Sequence, residues 1–535
     1  MRAPVHAFVL AFLLAPSFAH GAAPPAEVPL TLADARARAL EKNLELRVER
    51  ENATIAGSGE TKAKGAYDPT LRADARWRDR TDPVNSILSG APAGDLAPNN
   101  SGYAANLGLA QLLPTGGTVS LTTSVSRDET TNVFSILSPS WSTSIGLELR
   151  QPLLRNLQID PARQGLRVAR VDRARSAASV ARVTAETVAN VERAFWSLLA
   201  ARRDVEARRS AVELAVRQKA DVDARVEAGT LSEADLAAPV AELERRRGDL
   251  FASREAASRA ENGLKSLLLA DPADPLWSSF LVPAEGPEEP LALPPDVDAA
   301  LASATALRPE VAEAAARLDR LAVEDEAARD RIRPQLDLVA AYLRRGLAGE
   351  QNPGIAPPFP IGVTEIPDAI DGGLGRSWGT VGEGRFPDAS VGLAFTLPLG
   401  NRAARADAAV ARSARTQAEL SLLRARQVVE VEVRNAGFAL ETAEQRVAAA
   451  LAGRAASETL LRAEEERFTA GLTTSFFVLT RQNDLTQARL AETAALSDLR
   501  KARVEWSRAT GTLLSERHIE VQDAEPAAAP AGGSR

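Results

Sequence analysis

The sequence contains no cysteine, one methionine and three histidines, His6, His20 and His518. Without cysteine there is no disulfide framework, so a secreted form of the chain must be held by packing or by association. It also has no attachment point for a lipid after an N-terminal signal. Two histidines sit at the extreme N-terminus and the third near the C-terminal end. No Ser/His/Asp, Cys/His or His-based metal constellation can therefore be assembled in the body of the chain. Carboxylate-only sites stay open, although most acids lie on helical faces where the ordinary reading is solvated surface. Aromatics are 4%. Beyond the N-terminus no apolar run approaches the roughly 18 residues a membrane-spanning helix needs. Lysine and arginine do not outweigh the acids: net charge is -7. That balance excludes nucleic acid as a ligand, which needs concentrated positive charge. No cofactor or metal is expected.

What is present begins with a secretory signal over residues 1–21. Arg2 supplies the positive end, Ala7–Ala15 the short apolar run, and Ser17, Ala19 and Gly21 the small residues a signal peptidase accepts. Pro16, Pro24 and Pro25 stop that run from continuing as a helix.

The rest of the 535 residues reads as one unit written twice. Val191, Leu198, Val205 and Val226 correspond to Val433, Leu440, Val447 and Phe468, each pair 242 residues apart. Arg225 and Gly229 map by the same step onto Arg467 and Gly471. Earlier in each half, Leu44, Pro69, Leu71 and Trp77 correspond to Pro309, Pro334, Leu336 and Tyr342, 265 apart. Between these blocks, Ile145, Leu147, Leu149 and Pro152 match Val391, Leu393, Phe395 and Pro398, 246 apart. The first repeat is set at 31–270, a Pro-rich linker at 271–295, the second repeat at 296–518 and a disordered Ala/Pro/Gly-rich tail at 519–535.

Each half reads as helix, strand region, long helix, turn and shorter helix. Val191, Phe195, Leu198, Val205, Val212, Val216 and Val226 follow the three-four spacing of a coiled-coil seam. Arg202, Arg209 and Lys219 interrupt it, so the seam is not a dry two-stranded zipper. Alanine is abundant, 15 residues within 401–450, and lets helices approach closely on more than one side. Residues 156–228 make a helix of about 110 Å. Residues 31–66 and 233–269 make about 54 and 55 Å, and laid end to end they match it. The second half repeats this arithmetic with 402–470 against 296–332 and 475–512. A tube whose wall alternates continuous and two-piece helices satisfies these lengths.

Strands are expected near 70–80, 101–111, 117–127 and 141–151 in the first half, and near 335–345 and 389–399 in the second. Leu71, Ala73, Ala75 and Trp77 alternate with Arg72, Asp74, Arg76 and Arg78; Trp141, Thr143, Ile145, Leu147 and Leu149 alternate with polar partners. Leu336, Leu338, Ala340 and Tyr342 share one face, as do Val391, Leu393, Phe395 and Leu397. About ten residues with one apolar face is the length of a tilted barrel strand. The same pattern fits a soluble sheet, but secretion favours the barrel. Tyr67, Trp77, Tyr103, Trp141 and Tyr342 lie where an interfacial aromatic girdle requires them. A further hairpin occurs only in the first half. Tyr103, Ala105, Leu107 and Leu109 face one way on its first strand, Val119, Leu121, Thr123 and Val125 on its second, with Pro114-Thr115-Gly116-Gly117 between them.

These words resemble the TolC outer-membrane efflux family over residues 31 to about 514. Gln151-Pro152-Leu153-Leu154 and its echo Leu397-Pro398-Leu399-Gly400 stand where a strand enters a helix. The segments from Arg225 to Ser232 and from Arg467 to Thr474 resemble that family's helix-turn-helix tip. The resemblance implies a membrane α+β fold: a trimeric outer-membrane β-barrel, continued by a long periplasmic α-helical coiled-coil barrel. It implies a passive exit channel of a tripartite efflux or type I secretion system, working with a periplasmic adaptor (membrane fusion protein) and an inner-membrane pump. It implies no chemistry and no cofactor, and it leaves the exported substrate and the pump class open.

Adaptor-docking tips are expected at Ala228, Gly229, Thr230, Leu231 and Ser232, and at Ala470, Gly471, Leu472, Thr473 and Thr474. A periplasmic gate is expected at Asp235, Phe476, Phe477 and Thr480. Two departures from the family's pattern stand out. Four strands per chain, twelve per trimer, is its usual count, whereas the added hairpin gives six and eighteen or else packs outside. Acids line the constriction in the family, and Asp235 fits one such position, but Phe477 and Thr480 occupy the positions expected to repeat it. Two other readings are a coiled-coil surface stalk, without barrel strands, and a secreted carboxylate enzyme, which would be a compact globule with a cleft.

Overall fold

The computed structural model describes residues 26–81, 83, 90–230, 232–284, 296–355, 366–470 and 472–521. The signal segment, residues 285–295 of the linker and most of the tail lie outside them. In chain order the elements are β1 (Glu27–Leu30), α1 (Leu32–Lys42), α2 (Leu44–Lys64), β2 (Thr70–Thr81), β3 (Asn99–Leu112), β4 (Thr118–Thr130), β5 (Leu137–Pro152), α3 (Pro161–Glu227) and α4 (Ala237–Leu268). Then follow β6 (Phe280–Pro283), α5 (Val297–Leu307), α6 (Pro309–Asp330), β7 (Gln335–Gln351), α7 (Leu374–Glu383), β8 (Phe386–Thr396), α8 (Arg402–Thr469), α9 (Ser475–Thr510) and α10 (Leu513–Glu516). Among the described residues no helix is long and apolar enough to cross a membrane.

The two long helices have 67 and 68 residues, about 100 Å each. α3 begins five residues later than expected, because Asp160 caps it at Pro161, accepting the N–H of Ala162 at 2.8 Å and of Arg163 at 2.9 Å. The helices expected over 31–66 and 296–332 are each broken. Asn43 (φ -60, ψ 124) leaves the helix, and its Oδ1 accepts the N–H of Leu46 at 3.1 Å, starting α2. Arg308 (φ -70, ψ 122) does the same 265 residues on, because Pro309 follows it and disfavours the helical conformation.

Contacts divide the chain into two compact units. The first combines residues 26–47 with the described residues of 184–301 and 432–519. β1 and β6 pair in parallel. They cover a core of Leu30, Ala35, Ala39, Val191, Phe195, Leu198, Leu264, Leu268 and Leu281. The expected α3 seam holds at Val191, Phe195 and Leu198, which are fully buried. Further along it shifts: Ala211, Ala215 and Val222 are buried while Val216 is exposed. A straight α-helix drifts about 20° per heptad, so a stripe drawn at 3.5-residue spacing rotates off the contact.

The second unit combines the described residues of 48–183 and 302–431. Its centre is a six-stranded sheet in the order β2-β3-β4-β5-β7-β8, antiparallel throughout. All six expected strands are present. β7 runs six residues further than expected, and β8 starts three earlier and ends at Thr396. Leu71, Leu109, Leu121, Leu147 and Tyr342 meet in one row across five strands. Ala340 pairs with Val391, Leu338 with Leu393 and Leu336 with Phe395 on the same face. Trp77, Tyr103, Arg127 and Trp141 form another row. There Tyr103 meets Trp141 edge-to-face at 5.7 Å, and Arg127 lies 5.7 Å over the same indole. Tyr342 stands in the Leu71 row, apart from those aromatics. The opposite face is polar, with Arg72, Asp74, Arg76 and Arg78 on β2 and many serines on β4 and β5.

α7 lay outside the sequence expectations. It packs on the apolar face over β5 and β7. Ser377 donates to the Trp141 carbonyl at 3.1 Å and its hydroxyl lies 2.8 Å from that of Thr143. Gly346 permits this approach, since a Cβ there would stand 2.1 Å from the Ser377 carbonyl oxygen.

Candidate tips and gate

The first tip forms where α3 runs out of helix-compatible sequence. Gly229 takes φ +71, a left-handed conformation that costs glycine little. Its N–H donates to Val226 at 2.9 Å, and the N–H of Thr230 donates to Arg225 at 2.9 Å, closing the last turn. The Thr230 hydroxyl also donates to the Arg225 carbonyl at 2.8 Å. One turn later the chain re-enters helix. Asp235 accepts the Ser232 backbone N–H and the Ser232 hydroxyl, both at 2.9 Å, tying the start of α4. Asp235 is exposed, so the carboxylate expected at the gate is also the group that shapes the turn.

The second tip repeats several of these bonds 242 residues on. The N–H of Leu472 donates to Arg467 at 2.9 Å, as Thr230 does to Arg225. The N–H of Phe477 donates to Thr474 at 3.2 Å, as Asp235 does to Ser232 at 3.0 Å. The two tips are neighbours: the Arg225 guanidinium lies 5.3 Å over the Phe468 ring. Ala228, Thr230, Ser232, Ala470, Leu472 and Thr474 are exposed and Thr473 is half-buried. Leu472 is 78% exposed, an apolar side chain that no described residue covers. Leu231 and Gly471 lie outside the described residues.

Phe476 and Phe477 stand on the first turn of α9, 68% and 49% exposed, and meet each other edge-to-face at 5.7 Å. The neighbouring Val478 is the residue that packs inward, at 5%. The two rings therefore do not fill the core of this chain. The Thr480 hydroxyl donates to the Phe476 carbonyl at 2.9 Å.

Below the tips, charge is used structurally. Arg246 is buried, donating to Glu242 at 2.7 Å and to the Ala211 carbonyl at 2.9 Å, and so joins α4 to α3. Burial pushes the Glu242 carboxyl up, but bonds from Arg245 and Arg246 outweigh it and hold the group below its usual range. A depressed folded-state value gives stability that is present above the unfolded value, near 4.5, and lost as pH falls through the folded one. Acidification below about pH 4.5 should thus loosen the α3–α4 pair, read as faster amide exchange in α4, and Glu242→Gln should flatten that pH dependence. Equal pH profiles for the two proteins would count against the pairing.

Sequence reasoning missed Glu192, which is fully buried and held by Arg36 at 3.2 Å and Arg517 at 3.0 Å. No local signal distinguishes this glutamate from others on the same helix; only its distant partners do. Among the described residues no group of His, Cys, Asp and Glu could hold a metal ion.

Residues 300–512 match the family described as outer membrane efflux protein. Among curated proteins no sequence matches the chain. Solved structures do. A membrane protein from Pseudomonas aeruginosa superposes with TM-score 0.62 at 18% identity, covering 90% of each chain. The Campylobacter jejuni CmeC outer membrane channel gives 0.61 at 16%, over 90% of this chain and 86% of that one. The open state of the Neisseria gonorrhoeae MtrE outer membrane channel gives 0.57 at 18%, over 90% and 89%. The family match carries with it an outer-membrane location. Residues 300–512 therefore match the outer membrane efflux protein family, and over nine-tenths of its length the chain has the fold of TolC-like outer-membrane channels.

Proposed function

We propose that three copies of this chain form a passive exit duct for a tripartite exporter. In this reading the six-stranded sheet contributes to a barrel in outer-membrane lipid. α3 and α8, with their shorter partners, line a tube through the periplasm. The paired tips receive a periplasmic adaptor coupled to an inner-membrane pump. The observation that carries it is the union, in one chain, of an antiparallel sheet with an apolar, aromatic-belted face and two helices of about 100 Å that turn back at matched tips. An all-antiparallel sheet of six strands is too small to enclose a conducting pore by itself, and lipid does not tolerate open sheet edges. A detergent-resistant oligomer in the outer-membrane fraction that conducts in planar bilayers is the expected result. A monodisperse periplasmic monomer would end the reading.

Efflux or type I secretion both fit such a duct. The gate is formed by Asp235, just before α4, and by Phe476, Phe477 and Thr480 on α9. In a trimer Phe477 recurs three times around the axis, and its half-exposed ring can form an apolar constriction that resists wetting. Phe477→Ala should raise bilayer conductance and antibiotic entry without loss of the oligomer. A weakened oligomer with unchanged conductance would instead mean that the ring packs between subunits. Asp235→Asn keeps an acceptor for Ser232 and should lower cation preference; unchanged selectivity removes Asp235 from the gate.

A further inference from the structure

The hairpin β3–β4 is not an appendage of the sheet. β3 pairs with β2 from Thr70↔Ala110 to Thr81↔Asn99, and β4 pairs with β5 from Thr118↔Arg150 to Asp128↔Ser140. It stands between two strands that would otherwise be neighbours, along all of β2 and from Ser140 to Arg150 of β5. Its turn is tied down as well. The Leu113 N–H donates to Gly117 at 2.7 Å, Gln151 Nε2 donates to the Thr115 carbonyl at 3.1 Å, and Arg163 Nη2 reaches that carbonyl at 3.3 Å. The leucine row of the sheet runs through the hairpin without a break, and the aromatic row crosses it through the Tyr103 ring and the Arg127 guanidinium. Leu109 and Leu121 link Leu71 to Leu147, and Tyr103 and Arg127 link Trp77 to Trp141.

Among the described residues β2 and β8 are the outer strands of this sheet, each laddered to another strand on one side only. Every residue of β2, twelve in all, and every residue of β8, eleven, is exposed. The two edges match in length and both alternate, apolar on the same face of the sheet. Because six is even, β8 and the β2 of a second copy placed beside it run antiparallel, so head-to-tail repetition continues the ladder without a change of direction. An exposed strand edge is a template for such pairing, and closure removes it.

Resting on the three-copy reading above, we infer that β8 of each subunit pairs with β2 of the next and that the barrel has eighteen strands, six from each chain, with β3–β4 in the wall. Barrel diameter grows about linearly with strand number, so the bore is about half as wide again as a twelve-stranded one. It is lined by the polar face, including Arg72, Arg76 and Arg78. Such a mouth is an aqueous channel of porin dimensions, and passage is limited at the tips rather than in the membrane. The occupant of both edges is another copy of this chain.

The absence of native cysteine makes the test clean. Cysteine pairs that join β2 (Leu71→Cys, Ala73→Cys or Ala75→Cys) to β8 (Ala389→Cys, Val391→Cys or Leu393→Cys) should, at one register, oxidise to covalent dimers and trimers in outer membranes. Disulfides need Cα atoms about 4.4–6.8 Å apart, which paired strands supply. Ala73→Cys with Ile145→Cys should not close, because three strand spacings, about 14 Å, separate β2 from β5. As a second readout, polymer exclusion from the external side should show a mouth about a third narrower after deletion of residues 99–130. Closure of the Ala73/Ile145 pair within an intact trimer, or an unchanged exclusion limit, would sink the eighteen-stranded barrel and leave the duct standing. A protein that stays monomeric and forms no β8–β2 cross-link would bring down both.

Discussion

Replacing Leu231 and Leu472 together with aspartate should abolish export while oligomer and membrane insertion persist. Leu472 is 78% exposed at the second tip, and Leu231 holds the position 241 residues before it, on the first. An apolar side chain left in water at the end of a helical hairpin, among small residues such as Ala228, Thr230, Ala470 and Thr473, suits contact with another helical hairpin. Buried interface leucines lose their pocket when charged, and an unpaired carboxylate in the contact adds desolvation. The turn itself is held by backbone bonds from Gly229, Thr230 and Leu472 and by the left-handed Gly229, so the folded tips should survive the change. The checks are drug or cargo export in cells and co-purification with the adaptor, each against oligomer amount in the outer membrane. Export that continues at wild-type level with a normal oligomer would show that the tips do not carry the adaptor contact.

The second large effect is expected at Glu192. Its side chain is fully buried on α3 and accepts from Arg36 on α1 and from Arg517 after α10. It therefore ties both ends of the described chain to one point of the long helix. Around it Val188, Ala189, Val504 and Leu513 are packed, with Trp196 and Ile519 against them. Removing one partner of a buried ion pair typically costs 3–5 kcal/mol, because a charge is left without compensation. Here the remaining arginines are about a fifth exposed and can reach water, so Glu192→Ala should cost about 3 kcal/mol, the lower end of that range. Arg517→Ala, which leaves Arg36 in place, should cost less, about 1.5–3 kcal/mol. Thermal unfolding in detergent reads the first loss. Limited proteolysis reads the second as release of the segment from Thr512 onward. Unchanged unfolding of Glu192→Ala would mean that apolar packing alone anchors the two ends.

Much of this molecule was legible before any coordinates. The alternation Leu71, Ala73, Ala75, Trp77 fixes which face of β2 is apolar, because successive side chains in a strand point to opposite sides. Gly229 marks the end of α3 for a reason that one residue contains: it tolerates a left-handed φ. Long alanine-rich stretches between such stops can only be long helices. The coiled-coil seam was legible in the middle of α3 and failed towards the tip, where Ala211, Ala215 and Val222 take over from the valines drawn by heptad.

Local pattern thus determined the long helices, the six strands of the large sheet, their faces and the turn at Gly229, since each depends on residues within a turn or two of one another. The tertiary structure alone decided three things. It inserted β3–β4 between β2 and β5, a choice among strand orders that every alternating strand would satisfy equally. It placed α7 over Gly346, joining residues that the sequence separates by about thirty positions. It buried Glu192 by bringing Arg517 to it across 325 residues. A charge is buried only where opposite charge meets it, and which charges meet is a property of the whole fold rather than of any segment.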